Sequence, residues 1–127
     1  PTARLVPYCM STDPELGRVG LNETPARRAA VPYRMAKIPM SAVLRTRTLS
    51  EPRGFIKALI AADGDEILGL TALGAGAGEL IAVVQIAMLT GAPYTTLRDA
   101  ILTHPTIAEG LTVLFANEPG LPEPPAH

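Results

Sequence analysis

Two apolar runs constrain the fold more than anything else in the chain. Phe55-Ile56-Lys57-Ala58-Leu59-Ile60-Ala61 and Ile67-Leu68-Gly69-Leu70-Thr71-Ala72-Leu73 flank the turn sequence Ala62-Asp63-Gly64-Asp65-Glu66. Asp-Gly supplies the positive φ that a tight hairpin needs, so the two segments are predicted to pair antiparallel. The second run is apolar on both faces, which predicts a central place in the sheet. Gly74-Ala75-Gly76-Ala77-Gly78 then breaks the pattern, and a helix is predicted from Glu79 to about Thr90. Glu79 suits the positive end of the helix dipole, and Gly91 with Pro93 ends the helix. At about 100° per residue Glu79 and Gln85 fall on different sides, so this helix is expected to be wrapped in protein on most sides.

The rest of the chain supplies a plausible frame for that hairpin. Tyr8 to Ser11 reads as a short strand, turned by Asp13-Pro14-Glu15, with Gly17 to Leu21 running back beside it. Asn22 is the predicted N-cap of a helix with Glu23 in its first turn and Pro25 near its start. That helix runs through Ala26 to Ala30 and stops at Pro32. Tyr33 to Ile38 reads as a strand closed by Pro39, and Arg45 and Arg47 mark Met40 to Ser50 as an exposed connection. Thr95 or Thr96 is expected to cap a short helix from Leu97 to Leu102, and a last helix is expected from Thr106 to Phe115. Strands first and helices later predict an α+β fold, an antiparallel sheet flanked by helices. At 127 residues this is one domain, over residues 1–117, followed by a Pro-rich flexible tail over 118–127 that cannot pack as regular structure.

Composition narrows the function. Eleven basic and twelve acidic residues give a net charge of -1, with no basic excess to neutralise phosphates, so no nucleic-acid partner is expected. A single cysteine excludes a disulfide framework and a multi-cysteine zinc site, and no metal is expected. The longest apolar stretch, Leu80 to Ala92, is interrupted by Gln85 and Thr90 and falls short of the ~20 residues of a membrane span. The chain starts Pro1-Thr2-Ala3-Arg4 without a leader pattern or an initiator Met, which reads as a processed or trimmed chain, cytoplasmic by default. A mean hydropathy of +0.23 is high for a small monomer and implies a buried partner surface.

Three local motifs carry possible chemistry. The glycine run follows a strand and precedes a helix, as a dinucleotide-binding turn does, but Glu79 occupies the third glycine position, where it would repel a pyrophosphate. A tight strand-to-helix turn is the better reading. Cys9 sits in an apolar strand beside no obvious base and reads as core. Thr103-His104-Pro105-Thr106-Ile107-Ala108-Glu109 is the one stretch able to carry chemistry. Thr106-x-x-Glu109 is a capping box, which would leave His104 incidental. The same geometry lets the Glu109 carboxylate bond one imidazole nitrogen of His104, fixing the tautomer and freeing the other nitrogen for proton transfer. Local pattern favours the cap, and both can hold at once.

The ordered set of motifs resembles the C-terminal interface (dimerisation) domain of the FAD-dependent pyridine nucleotide-disulfide oxidoreductases. Its marks here are Thr12-Asp13-Pro14-Glu15, Gly17-Arg18-Val19-Gly20-Leu21, Gly54-Phe55-Ile56-Lys57 with the Ile67-Leu68-Gly69 strand, Gly78-Glu79-Leu80-Ile81, and His104-Pro105-Thr106-x-x-Glu109. They cover roughly Val6 to Phe115. The resemblance implies a parent enzyme with FAD and NAD(P) domains, two subunits paired through this domain, and a His–Glu pair standing in the partner's active site. By resemblance His104 is the acid/base, Glu109 orients it, and the His104-Pro105 bond is cis with its backbone toward the partner's flavin. The two-fold surface is expected to include part of the Glu79–Thr90 helix and the C-terminal helix near Leu111 to Phe115.

The chain also departs from the parent pattern. It has no Cys-x-x-x-x-Cys redox pair and no dinucleotide fingerprint, so alone it is expected to bind no cofactor and catalyse nothing. Tyr8 to Leu21 is similar to mercuric reductases. Those typically end in a vicinal cysteine pair and lack this His, whereas this chain ends Pro124-Pro125-Ala126-His127, which favours disulfide or dithiol chemistry as in dihydrolipoamide dehydrogenase or glutathione reductase. The alternative is a stand-alone, non-catalytic homodimerising or partner-binding module.

Overall fold

In the computed structural model, which describes residues 6–100 and 102–121, the central hairpin forms as the sequence predicts. Strands β4 (Phe55–Ala61) and β5 (Ile67–Leu73) pair antiparallel, with Ala58 opposite Leu70 and a register shift at Leu59/Ile60. The turn places Gly64 at φ 96°, the left-handed region that glycine enters freely. Strands β1 (Tyr8–Met10), β2 (Leu16–Gly20) and β3 (Tyr33–Pro39) complete a five-stranded antiparallel sheet in the order β1-β2-β5-β4-β3. The strand that is apolar on both faces, β5, is thus the central one.

One face of the sheet carries the main core. Val19, Ile56, Ala58, Ile60, Leu70 and Ala72 are buried there beneath helix α3 (Ala77–Leu89) and helices α4 (Tyr94–Asp99) and α5 (Gly110–Leu114), whose Tyr94 and Phe115 rings pack 5.1 Å apart. Gly17 makes this layering possible, because a Cβ there would lie 2.6 Å from Cγ1 of Ile81. The other face is only partly covered. Helix α1 (Glu23–Arg28) shields a small cluster of Ala26, Tyr33 and Leu59. Glu23 ties it down, accepting from Lys57 Nζ at 2.7 Å and from the Tyr33 hydroxyl at 3.3 Å. The Lys57 hydrogen bond, above all, holds the Glu23 carboxyl below its usual range.

The structure corrects several expectations. Met40 to Ser50 is not simply a connection: a 3₁₀ turn (Met40–Ala42) and helix α2 (Leu44–Thr48) occupy it, pinned by buried Thr46, whose hydroxyl donates to the Met40 and Val43 carbonyls at 2.7 Å. α4 begins at Tyr94 rather than Leu97 and follows Pro93, whose fixed φ suits a helix start; neither Thr95 nor Thr96 caps it. The last helix is confined to Gly110–Leu114, because residues 106–109 are held in a turn by side-chain bonds described below. α3 buries one stripe, Leu80, Ile81, Val84 and Ala87, and leaves the opposite one open, with Ile86 61% and Leu89 60% exposed. A single helical layer over a sheet has no element to wrap that outer face. Leu111, Leu114 and Phe115 are buried in the chain's own core, so of the expected surface near Leu111 to Phe115 only Thr112 and Val113 are half-exposed.

Cys9 is exposed rather than core, since three-residue β1 is an edge strand. Packing continues past Asn117: Pro119 is buried, and Gly120 exchanges two backbone hydrogen bonds with Met35 at the β3 edge, 2.7 and 3.0 Å long. The tail expected from residue 118 therefore starts no earlier than Leu121, and residues 122–127 lie outside the described residues, as does Ile101. Among the described residues no helix is long and apolar enough to cross a membrane.

Candidate functional site

The loop between α4 and α5 carries the one candidate constellation. Its base is apolar: Ile107 and Leu111 are buried, and Ile107 seats against Gly76, where a Cβ would approach its side chain to 3.0 Å. Gly76 is the N-cap of α3 at φ 76°, so the glycine-rich turn is the floor on which the loop rests. Gly110 brings the loop's other end down on the sheet, since a Cβ there would lie 2.8 Å from Cδ1 of Ile56. Sequence reading found the turn and the loop but not their contact, which joins residues about thirty positions apart and leaves no periodic signal.

Above this base the polar groups close on one carboxylate. His104 Nδ1 lies 3.0 Å from both oxygens of Glu109, and the Thr106 N–H donates to Glu109 Oε1 at 2.9 Å. Half of the expected capping box is therefore present. The other half is not: the Thr106 hydroxyl donates to the Thr103 carbonyl at 2.8 Å instead of to the Glu109 N–H. The His104-Pro105 peptide is cis. The hydrogen bond from His104, then that from the Thr106 N–H, keep the Glu109 carboxyl below the ordinary carboxylate range. Glu109 is thus an ionised acceptor at neutral pH, and its bond to Nδ1 selects the tautomer that carries the proton there. The His104 side chain is 64% exposed against 26% for Glu109, and no hydrogen bond to Nε2 is present among the described residues. One ring nitrogen is held and the other has no hydrogen-bond partner among the described residues, the arrangement a proton-transfer group requires.

The head of α3 answers the question of the glycine run. The Gly78 N–H, which a bound phosphate would use, donates at 2.5 Å to Glu15 Oε2, a carboxylate supplied from the β1–β2 connection. The same oxygen accepts from the Cys9 thiol at 3.6 Å. Desolvation of the sulfur, then the charge and the hydrogen bond of Glu15, push the Cys9 thiol up, away from the reactive thiolate. The residues present do not fit the pyrophosphate of a dinucleotide. His104, Pro105 and Glu109 stand together, while Cys9 and the glycine run belong to the scaffold. Glu15 was missed as a cap because its partner is 63 residues away.

Comparison with known proteins places these features in context. The family described as pyridine nucleotide-disulphide oxidoreductase, dimerisation domain, matches residues 6–114. The chain is 36% identical over 111 residues to the probable pyridine nucleotide-disulfide oxidoreductase RclA of Escherichia coli, covering 87% of this chain and 25% of that protein. It is 42% identical over 106 residues to a dihydrolipoyl dehydrogenase of Thermus scotoductus, covering 84% of this chain and 23% of that one. The solved structure of the Escherichia coli flavoprotein disulfide reductase RclA superposes with a TM-score of 0.85 at 35% identity, over 90% of this chain and 26% of that chain. LpdA from Mycobacterium tuberculosis shares the fold, with a TM-score of 0.80 at 21% identity, over 87% of this chain and 24% of that chain. The chain spans about a quarter of the length of the relatives it matches.

Proposed function

Because this chain belongs to the pyridine nucleotide-disulphide oxidoreductase dimerisation-domain family, we propose that it pairs two subunits of an FAD- and NAD(P)-dependent disulfide oxidoreductase and lends His104 and Glu109 to the partner's active site. The observation that carries this reading is the exposed His104 ring bonded at 3.0 Å through Nδ1 to an ionised Glu109. The parent protein acts in the cytoplasm, and its FAD and NAD(P) domains lie in polypeptide beyond this chain. FAD, held there, supplies the two-electron chemistry. His104 Nε2 takes the proton of a substrate or protein thiol as that sulfur becomes the thiolate that attacks a disulfide. It returns a proton to the sulfur released when a disulfide is cleaved. Glu109 keeps the tautomer that leaves Nε2 free and offsets the positive charge on the ring after proton uptake. The His104-Pro105 segment is the part of this chain that would stand toward the partner's flavin.

The pairing surface is the outer face of α3, where Ala82, Ile86 and Leu89 are exposed on consecutive turns and Glu79 is the only charge on the helix. A two-fold axis puts this surface against itself, and an apolar stripe with its one charge, Glu79, at the N-terminal end suits that symmetry. The folded unit that does this reaches at least Gly120, whose backbone pairs with Met35.

Mixed dimers of the intact enzyme test the assignment in trans. One subunit carries His104→Ala; the other carries a serine in place of a redox cysteine. Each homodimer is inactive. A shared site restores one working centre per mixed dimer, so mixing recovers turnover. No recovery, with mixed dimers demonstrably formed, refutes the trans site. The second reading, a non-catalytic pairing module, rests on the same α3 face and prevails if the natural polypeptide contains no flavin-binding part.

A further inference from the structure

The two edges of the sheet differ in what they offer another strand. β1 closes one side with three residues, and so short an edge is a poor template. β3 closes the other with seven, Tyr33–Pro39. Met35 turns its N–H and carbonyl away from β4, since both bond to Gly120 instead. Backbone direction alternates along a strand, so Tyr33 and Lys37 turn theirs outward as well. A long edge with such a row of donors and acceptors invites a strand from another chain. A second copy of β3 is well matched to it. Two β3 strands paired antiparallel about Met35 set Lys37 opposite Tyr33 of the copy, so like charges do not meet across the pair.

We infer that residues 118–121 are a strap that guards this edge and keeps β3 from pairing with β3 of a second copy. The strap lies on the middle of the strand. The Gly120 N–H donates to the Met35 carbonyl at 3.0 Å, and the Met35 N–H donates to the Gly120 carbonyl at 2.7 Å. Pro119, beside the bridge, is buried. One residue before Met35, Arg34 Nη1 reaches Glu118 Oε1 at 3.6 Å. Arg34 is itself fixed, because Nε donates to the Ala61 carbonyl at 3.1 Å and Nη2 to the Gly64 carbonyl at 2.6 Å. The strap is thus moored to the β4–β5 hairpin as well as to β3. It is also a poor template in its own right. Alternation turns the backbone of Pro119 and Leu121 away from β3, and Pro119 has no N–H to offer there. Pro122, next in sequence, has none either. The bridge to Met35 accordingly stays isolated and does not grow into a sixth strand. The strap lies beyond residues 6–114, the stretch that the family model matches. The inference is independent of the roles given to His104 and Glu109, and its test reads association alone.

Sedimentation equilibrium of the full-length native protein, with and without the strap, tests this. A chain ended at Asn117 should gain a concentration-dependent step that doubles the mass of the native species. The double variant Glu118→Lys with Gly120→Pro loosens both attachments without shortening the chain, and it should gain the same step. It decides the question by the same readouts if the shortened chain does not fold. Gly120→Ala is the control: it keeps the N–H, and a Cβ there meets nothing within 4 Å, so the mass should stay native. Hydrogen exchange at the Met35 amide, read with residue-level fragmentation, identifies the surface. In the strapless protein that amide should exchange fast when dilute and become protected as the heavier species forms. A folded strapless protein that keeps the native mass at every concentration overturns the inference. So does a heavier species in which the Met35 amide still exchanges fast, because another surface is then responsible.

Discussion

Glu15 at the head of α3 and Glu109 at the head of α5 do the same thing to the backbone and different things to the molecule. Each carboxylate accepts from a backbone N–H, Gly78 in one case and Thr106 in the other. Glu15 comes from across the sheet and has a thiol as its second partner, whose proton is held more tightly for being there. Glu109 comes from its own turn and has an exposed imidazole as its second partner. Glu15 thereby caps a helix, Glu109 ties a loop, and only the second carboxylate holds an imidazole whose other nitrogen has no hydrogen-bond partner among the described residues. What separates scaffold from site is therefore the other residue on the carboxylate.

The largest expected effect falls on the α5 side. In the full-length enzyme His104→Ala should lower turnover by roughly 10²–10⁴-fold, the usual worth of a positioned proton-transfer group, with flavin content and dimer mass unchanged. Thr106→Ala removes the hydroxyl bond to Thr103 but keeps the backbone bond to Glu109, so turnover should hardly move. Equal losses in the two variants would make the loop a structural cap and nothing more.

Next in size is Gly76→Ala, which forces a side chain into the left-handed region and toward Ile107. It should cost about 1–2 kcal/mol in a denaturant melt. Because Ile107 supports the His104 loop, turnover per folded molecule should fall as well. An unchanged turnover would show that the two helix heads are mechanically independent.

Glu15→Ala sharpens the contrast, since it removes the α3 cap and the Cys9 thiol's acceptor and leaves the His104–Glu109 bonds in place. A loss of about 1 kcal/mol is expected, the common worth of a side-chain cap, with kcat intact. A drop in kcat beyond the folding loss would move Glu15 into the site.

The smallest effect is a titration. NMR of the Glu109 side-chain carboxyl carbon should give a midpoint below the ordinary 4.5, and His104→Ala should bring it back toward that value. A carboxylate depressed in the folded state stabilises it above the ordinary value and loses that contribution as pH falls through the folded midpoint. The tie between the loop and α5 should accordingly loosen only in acid below about 4.5. A midpoint unmoved by His104→Ala would assign the depression to Thr106 alone.

The sheet and the site were legible to different depths. β4, β5 and β3 follow from runs of apolar residues and turn glycines, and His104 with Glu109 follows from five-residue spacing. Both signals are local. The α3 stripe is different: its pattern predicts a helix wrapped in protein, but an apolar helix surface looks the same in sequence whether its own chain covers it or another does. Leu111, Leu114 and Phe115 look like surface residues in sequence for the same reason, although they are buried in the chain's own core and only Thr112 and Val113 of that stretch are half-exposed. The ends of α4 and α5 moved because Pro93 starts one helix and the His104–Glu109–Thr106 bonds delay the other.

By itself the sequence determined the strand pairing about Asp63-Gly64, the α+β order of elements and the chemical identity of the His–Glu pair. Each of these is set by backbone propensity, side-chain parity or reach within a few residues. Only the tertiary structure decided that Glu15 crosses 63 positions to cap Gly78, that Ile107 rests on Gly76, and that Gly120 closes the edge beside Met35. Long-range contacts depend on where whole layers come to rest, and the sum of packing over all layers, not any local pattern, fixes that position.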